Sequence, residues 1–132
     1  MHALTAVDQH RHVALNALAD RLEPGNDDPR IVADARYVWE NKGRSAEFAI
    51  AVADDWQRQG LGILLMRQLA EFACLAGVRQ LFGYVLADNL PMQALVRVLG
   101  GRVVARPEDE DLRLARLDLT PSRLGLRVGS NT

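Results

Sequence analysis

The spacing of apolar residues changes along this chain, and each change predicts a different element. Residues 46–52 are extended and apolar in character, which predicts a strand with Phe48, Ile50 and Val52 on one face. The apolar residues that follow recur every three or four positions and predict a helix over residues 61–76. One side of this helix carries Leu61, Leu65, Leu69, Phe72 and Ala76.

Further runs continue the pattern toward the C-terminus. Residues 80–86 predict a second strand, and Pro91 suits the first turn of a short helix that ends at Gly100. Residues 102–106 and 112–119 predict two final strands around an acidic turn. The second of these alternates apolar and polar side chains, which is typical of a strand with one solvent-exposed face.

The first forty residues are less decisive. Residues 4–9 favour a short turn or helix. Residues 12–19 are compatible with a helix or a strand, because alanine and leucine favour helices. A strand is preferred there, since a turn signal at residues 23–29 and a clear strand at residues 31–39 follow it. The sequence therefore predicts a hairpin in this region.

Composition bounds the kind of molecule. The 132 residues suit one domain over residues 1–119, followed by a polar tail at residues 120–132. A formal net charge of -1, without basic runs, disfavours nucleic acid and anionic membranes as partners. Cys74 is the only cysteine, and no signal peptide or membrane-length apolar run is present. We therefore expect a cytoplasmic protein.

The junction between the strand at residues 46–52 and the helix at residues 61–76 is the clearest candidate for chemistry. The first amides of a helix lack partners within the helix, and the helix dipole adds partial positive charge there. Glycines let an anion approach these amides closely. The segment therefore predicts a phosphate site formed by Gln57, Arg58, Gln59, Gly60, Leu61 and Gly62.

This hexapeptide resembles the pyrophosphate loop of the GNAT superfamily, the acyl-CoA-dependent N-acyltransferases, whose signature is Gln/Arg-x-x-Gly-x-Gly/Ala. The order of strand, loop, helix, strand, Asn89, helix and glycine is also similar to that family. Residues 45–57 and 85–92 look like the GNAT domain of bacterial protein lysine acetyltransferases. The resemblance implies an α+β fold, with a mixed and mostly antiparallel sheet flanked by helices.

The resemblance also implies roles for particular residues. Acetyl-CoA would be the acyl donor, with Asn89 on its pantetheine arm and no metal. The backbone amide of Val52, or of a neighbour, would stabilise the thioester oxygen. Glu47, on a strand face shared with two alanines, would be the general base for a protein lysine. The alternative for Glu47 is an exposed carboxylate paired with Arg44. Val96 stands where the family often carries a tyrosine acid.

The family usually begins with a strand and two helices, and this sequence reaches its hairpin within about a dozen residues. We therefore expect the first strand and both helices to be lacking. An unpaired strand edge would then favour a homodimer through the N-terminal segment. Two other functions stay open: a CoA-binding or regulatory module without turnover, and a small-amine acetyltransferase.

Overall fold

The computed structural model describes residues 2–9, 12–19, 30–39, 43–53 and 60–120. Within these ranges the chain forms seven strands and two helices. In chain order they are β1 (His2–Gln9), β2 (His12–Ala19), β3 (Arg30–Val38), β4 (Ser45–Val52), α1 (Leu61–Ala76), β5 (Gln80–Leu86), α2 (Leu90–Val98), β6 (Arg102–Ala105) and β7 (Leu112–Asp118). The longest helix in this part of the chain is too short to cross a membrane.

The strands form one mixed sheet in the order β1-β2-β3-β4-β5-β7-β6. All neighbouring pairs are antiparallel except β4 and β5, which run parallel. Burial alternates along the central strands: in β4, Ala46 and Phe48 are buried, whereas Glu47 and Ala49 are exposed. One face of the sheet is therefore packed and the other faces solvent.

Both helices lie on the packed face. The crossovers β4–α1–β5 and β5–α2–β6 join parallel strands and step in the same direction across the sheet, so right-handed connections place both helices on one side. Helix α1 contacts β2, β3 and β4, and α2 contacts β6 and β7. The core between these layers contains the largest fully buried side chains, which are Leu65, Met66, Leu69, Leu81, Leu119, Val32 and Val78.

No described element covers the opposite face, which we call the open face. Its outward side chains include Val38, Glu47, Ala49, Tyr84 and Val104, all of them exposed. Bulky apolar side chains thus remain in contact with solvent, and 47% of the Tyr84 surface is accessible. An exposed apolar sheet face of this kind is a candidate for binding another molecule.

The structure confirms the α+β architecture and the predicted strands and helices from residue 12 onward. The expected turn or helix at residues 4–9 is wrong, because this segment is strand β1 and pairs with β2 from His2↔Ala19 to Gln9↔His12. Only two residues separate β1 from β2, so antiparallel pairing satisfies the backbone groups of this segment at once. Pairing overrides the helical preference of alanine and leucine.

The expectation that the first strand is lacking is wrong for the same reason. The two helices are indeed missing from this position, since two residues cannot form them. Strand β2 pairs with β1 on one side and β3 on the other, so it has no unpaired edge through which a homodimer could form. The predicted tail begins at the edge of the described chain, and residues 121–132 lie outside it.

Candidate functional site

Strands β4 and β5 separate near their middle. Their parallel pairing covers only Ser45↔Gln80, Ala46↔Leu81 and Glu47↔Phe82. Beyond these pairs the C-terminal halves of both strands continue without pairing to each other, which leaves an opening in the sheet. In sheets of α/β proteins, ligands commonly bind in a crevice at the carboxyl ends of neighbouring parallel strands.

The backbone of β4 is oriented so that one set of its polar groups faces this opening. The amide of Ala53 donates to the carbonyl of Val32 in β3 at 2.8 Å. Because successive residues of a strand direct their amides to opposite edges, the amides of Ile50 and Val52 point toward β5. The predicted Val52 amide therefore faces the opening, and that of Ile50 does so as well.

Helix α1 begins beside the same opening. Gly60 stands at its N-cap with φ 77° and ψ 0°, a left-handed conformation that favours glycine. No side chain of the described residues caps this helix end, and its first turn carries no acidic residue. A side chain on Gly60 would extend into open space, since no atom lies within 4 Å of its Cβ position. The amides and dipole at this terminus can therefore attract an anion.

A groove of about 520 Å³ connects these features. It runs between the C-terminal end of β4, the start of α1 and the first turns of α2. Four residues that the sequence predicts for cofactor binding line it, namely Val52, Gly60, Gly62 and Asn89. Gln57, Arg58 and Gln59 lie outside the described residues. The remaining lining residues, which the sequence did not indicate, are Ile50, Ala51, Ile63, Pro91, Met92, Ala94, Leu95 and Val98.

A sequence signal could have identified part of this wall. Pro91, Ala94, Leu95 and Val98 recur at helical spacing after Asn89, so one side of α2 contributes most of the apolar lining. An apolar wall with a few polar groups at one end is the usual composition of a small-molecule site.

Gly62 has a second reason to be glycine. A Cβ on this residue would lie 2.8 Å from Leu95 Cδ1 and 3.7 Å from Val52 Cγ2. The absence of a side chain therefore lets α1 approach α2 closely, in addition to any approach of a ligand. Leu61 is 3% exposed and its side chain packs in the core, so a contribution to the predicted phosphate site would come from its backbone amide.

Asn89 caps α2 and lines the groove at the same time. Its side-chain Oδ1 accepts a hydrogen bond from the Met92 amide at 3.2 Å. The side-chain amide nitrogen of Asn89 has no partner among the described residues and is available to a ligand carbonyl. Gln93 joins the start of α2 to the end of β5. Its side chain is buried, and its Nε2 donates to the carbonyls of Leu86 and Ala87 at 3.2 and 3.0 Å.

Glu47 does not line the groove. It lies on the open face, across the sheet from the helices, at the point where β4 and β5 separate. Ala49 follows it on the same face and leaves space beside the opening. The alternative pairing with Arg44 is absent, because the ion pairs in the described part of the chain join Asp34 to Arg36 and Arg106 to Glu108.

Two further side chains, those of Val96 and Tyr84, do not line the groove. Val96 is 2% exposed and packs in the core against the backbone of Gly101, so this position faces away from solvent. Tyr84 is not the packed aromatic that a strand position suggests: it is half exposed, with its ring 6.2 Å from that of Phe82 and 4.6 Å below the Arg106 guanidinium. Among the described residues no group of three or more His, Cys, Asp or Glu side chains is arranged to hold a metal.

Comparisons with known proteins agree with this geometry. Residues 8–100 match the sequence profile described as the Acetyltransferase (GNAT) family. Acetyltransferase Pat of Mycolicibacterium smegmatis is 36% identical over 92 residues, which are 69% of this chain and 27% of that protein. An acetyltransferase of Pseudomonas aeruginosa is 34% identical over 90 residues, which are 68% of this chain and 48% of that protein. This chain thus spans less than half the length of both curated relatives.

A solved structure is similar over most of the fold. The cAMP-binding acyltransferase from Mycobacterium smegmatis superposes with a TM-score of 0.70 and 30% identity, covering 87% of this chain and 33% of that chain. The family profile covers well over half of the present sequence and includes the strand-to-helix junction, the opening between β4 and β5 and the start of α2. The chain therefore belongs to the GNAT acetyltransferase family.

Proposed function

We propose that this chain transfers an acetyl group from acetyl-CoA to an amine, most specifically to the side chain of a protein lysine. The observation that carries the proposal is the convergence of an uncapped helix N-terminus, an apolar groove and an opening between parallel strands, with a carboxylate on the far side of that opening. Membership of the GNAT family supports the same chemistry.

The donor would lie along the groove in an extended conformation. Its pyrophosphate would accept hydrogen bonds from the first amides of α1 beyond Gly60, with Gln57, Arg58 and Gln59 contributing the rest of the loop. The pantetheine arm would follow the apolar wall of α2 and receive a hydrogen bond from the Asn89 side-chain amide. The thioester would then reach the opening, where the amides of Ile50 and Val52 face β5.

The acceptor would enter from the open face. There the Glu47 carboxylate would take a proton from the incoming ammonium, directly or through one water, which frees the nitrogen lone pair. The nitrogen attacks the thioester carbonyl, and a backbone amide of β4 stabilises the oxygen as negative charge grows. The C–S bond then breaks, the nitrogen releases its second proton to solvent as the amide forms, and the CoA thiolate takes a proton from solvent.

A lysine side chain suits this arrangement for a steric reason. No element in the described part of the chain covers the open face, so a protein surface can approach it, and a long unbranched side chain can reach the opening past Ala49. The resemblance of residues 45–57 to protein lysine acetyltransferases supports the same acceptor. On this face the described residues would give a small-amine acceptor no surrounding walls.

Release of free thiol from acetyl-CoA tests the proposal. The chain is incubated with acetyl-CoA and a panel of lysine peptides, polyamines and small amines, and the thiol is followed with a disulfide reagent. The proposal expects release that depends on a lysine peptide and yields the acetylated peptide by mass. Release with small amines alone would identify a small-amine acetyltransferase.

A second function is favoured by one observation. The position where the family often carries a tyrosine acid is Val96, and its side chain is buried in the core. A CoA-binding or regulatory module without turnover would need no such acid. Calorimetric binding of CoA, together with no thiol release from any amine in the panel, would establish this alternative.

Assembly and location complete the proposal. The outermost strand on the N-terminal side is β1, so a two-fold copy of this chain would have to pair along β1 to extend the sheet. Sedimentation at micromolar concentration tests this homodimer, and a monomer would reject it. We also propose a cytoplasmic location, because the single cysteine, Cys74, is a free and buried thiol.

A further inference from the structure

We propose that Arg102 and Arg116 form an acceptor subsite, which binds an acidic side chain close to the acceptor lysine. This inference rests on the proposed function, because it assumes that the acceptor lies on the open face beside Glu47. It adds the chemical class of the acceptor: a polypeptide with aspartate or glutamate within about three residues of its lysine.

The sheet register places these arginines in one row with the proposed base. Glu47 in β4 pairs with Phe82 in β5, Phe82 pairs with Arg116 in β7, and Arg116 pairs with Arg102 in β6. Neighbouring strands lie about 4.8 Å apart, so the backbone of Arg116 is about 10 Å from that of Glu47 and Arg102 about 14 Å. The side chains of both arginines are exposed on the open face.

Other arginines on this face already have a carboxylate partner. Arg36 donates to both oxygens of Asp34 at 2.9 and 3.1 Å, and these hydrogen bonds raise the pKa of its guanidinium. Arg106 is paired with Glu108 at 3.4 Å. These two positive charges are therefore largely compensated within the chain.

Arg102 and Arg116 differ, because neither guanidinium group forms an ion pair or hydrogen bond with another described residue. Asp118, the acidic residue on the same side of β7, accepts a hydrogen bond from Gln80 at 2.9 Å. Like charges directly opposite each other in a sheet are destabilising. An anionic group bound between the two guanidinium groups would offset their mutual repulsion and form charge-assisted hydrogen bonds with both.

The surface between the opening and the arginines suits a peptide. Tyr84, Leu114 and Val104 form the next cross-strand row, which gives an apolar floor beside the charged row. A lysine directed into the opening would hold its backbone over this floor, so residues on the β6 side would reach the arginines. On the β3 side the nearest outward residue is Val38, and the Arg36 charge is compensated.

Competing peptides provide the test. Lysine peptides carry glutamate, glutamine or lysine two residues from the acceptor and are otherwise identical. For the unaltered chain we expect kcat/KM about threefold to tenfold higher with glutamate than with glutamine, the range that two exposed ion pairs allow. The preference should shrink in 0.5 M salt, because exposed charges are screened.

Variants distinguish binding at this subsite from a general effect of the net charge of the chain. R102A/R116A should turn over the glutamine peptide at the parental rate but lose the preference for glutamate, and R102E/R116E should prefer the lysine peptide. The control R67A/R79A removes two exposed arginines away from this row and should keep the parental preference. R102A/R116A should melt at or above the parental temperature, since it removes the like-charged pair. R102E/R116E replaces that pair with two opposed carboxylates, so its melting transition serves only to verify that it is folded.

The outcomes distinguish this inference from the proposed function. Equal turnover of the three peptides by the parent chain, or a preference that survives R102E/R116E, would overturn the subsite while acyl transfer stands. If no peptide is acetylated, anisotropy of labelled peptides in the presence of CoA still tests the subsite. Binding that favours glutamate in the parent but not in R102A/R116A would support it, and equal binding would reject it.

Discussion

The contact between Gly62 and Leu95 makes a quantitative prediction about how α1 and α2 form the groove. Replacing Gly62 with alanine would place a Cβ 2.8 Å from Leu95 Cδ1, whereas apolar carbons prefer about 3.5 to 4.0 Å. Overpacking of this kind costs about 1 to 3 kcal/mol. The gain in helix propensity from glycine to alanine offsets up to about 1 kcal/mol. The single variant G62A should therefore lose about 0 to 3 kcal/mol of unfolding free energy.

A double-mutant cycle isolates the contact. Leu95 is half-buried, so L95A should cost about 1 to 2 kcal/mol, less than a fully buried leucine. In G62A/L95A the clashing methyl is gone, and the double variant should be more stable than the sum of the single effects by about 1 to 3 kcal/mol. Urea unfolding with a common m value measures each free energy.

The control replaces Gly43, which has no atom within 4 Å of its Cβ position. G43A and L95A should add within about 0.5 kcal/mol, as independent sites do. Additivity in the Gly62 cycle as well would refute the helix contact and leave phosphate approach as the only role of that glycine. Titration of CoA into the same variants provides a second test. If G62A binds CoA more weakly than the parent, G62A/L95A should recover part of that affinity.

Further predictions concern the proposed catalytic and binding residues. E47Q should keep CoA affinity and lower kcat about a hundredfold, the usual range for a lost general base, and parental turnover from pH 6 to 9 would make Glu47 a structural charge only. For Asn89, serine keeps the helix cap and removes the amide donor, so N89S should melt like the parent yet bind CoA more weakly. N89A loses both the helix cap and the amide donor, and it should cost about 1 kcal/mol of stability. Equal CoA affinity of N89S and the parent would show that Asn89 does not bind the pantetheine arm.

Local patterns made much of this fold predictable. The alternation around Phe48 and the helical spacing after Leu61 indicated β4 and α1 correctly, because each element exposes one face to a single core. The same alternation indicated that Glu47 and Ala49 share a face, and the structure has both exposed. The signals of Asn89 and Pro91 correctly indicated the start of α2.

Features that depend on distant contacts were not accessible in the same way. Segment β1 is short and rich in residues that favour helices, so its pairing with β2 decides its conformation. Gly62 and Leu95 lie in different helices that are separated in the sequence by strand β5. The spacing of residues within a motif therefore does not predict their contact. The row from Glu47 to Arg102 spans four strands, and it emerges only from the sheet order β4-β5-β7-β6.

The most direct measurement of the central claim is a calorimetric titration of CoA into the parent chain and into G60N. Asparagine tolerates the left-handed conformation of Gly60 and is a good N-cap, so this variant should remain folded. Gly60 lines the groove and no atom lies within 4 Å of its Cβ position, so an added side chain would compete with the pyrophosphate for the space at the start of α1, and G60V would do so with added backbone strain. The account predicts CoA binding by the parent and at least tenfold weaker binding by folded G60N. Equal affinity of the two proteins would contradict a donor site at the start of α1.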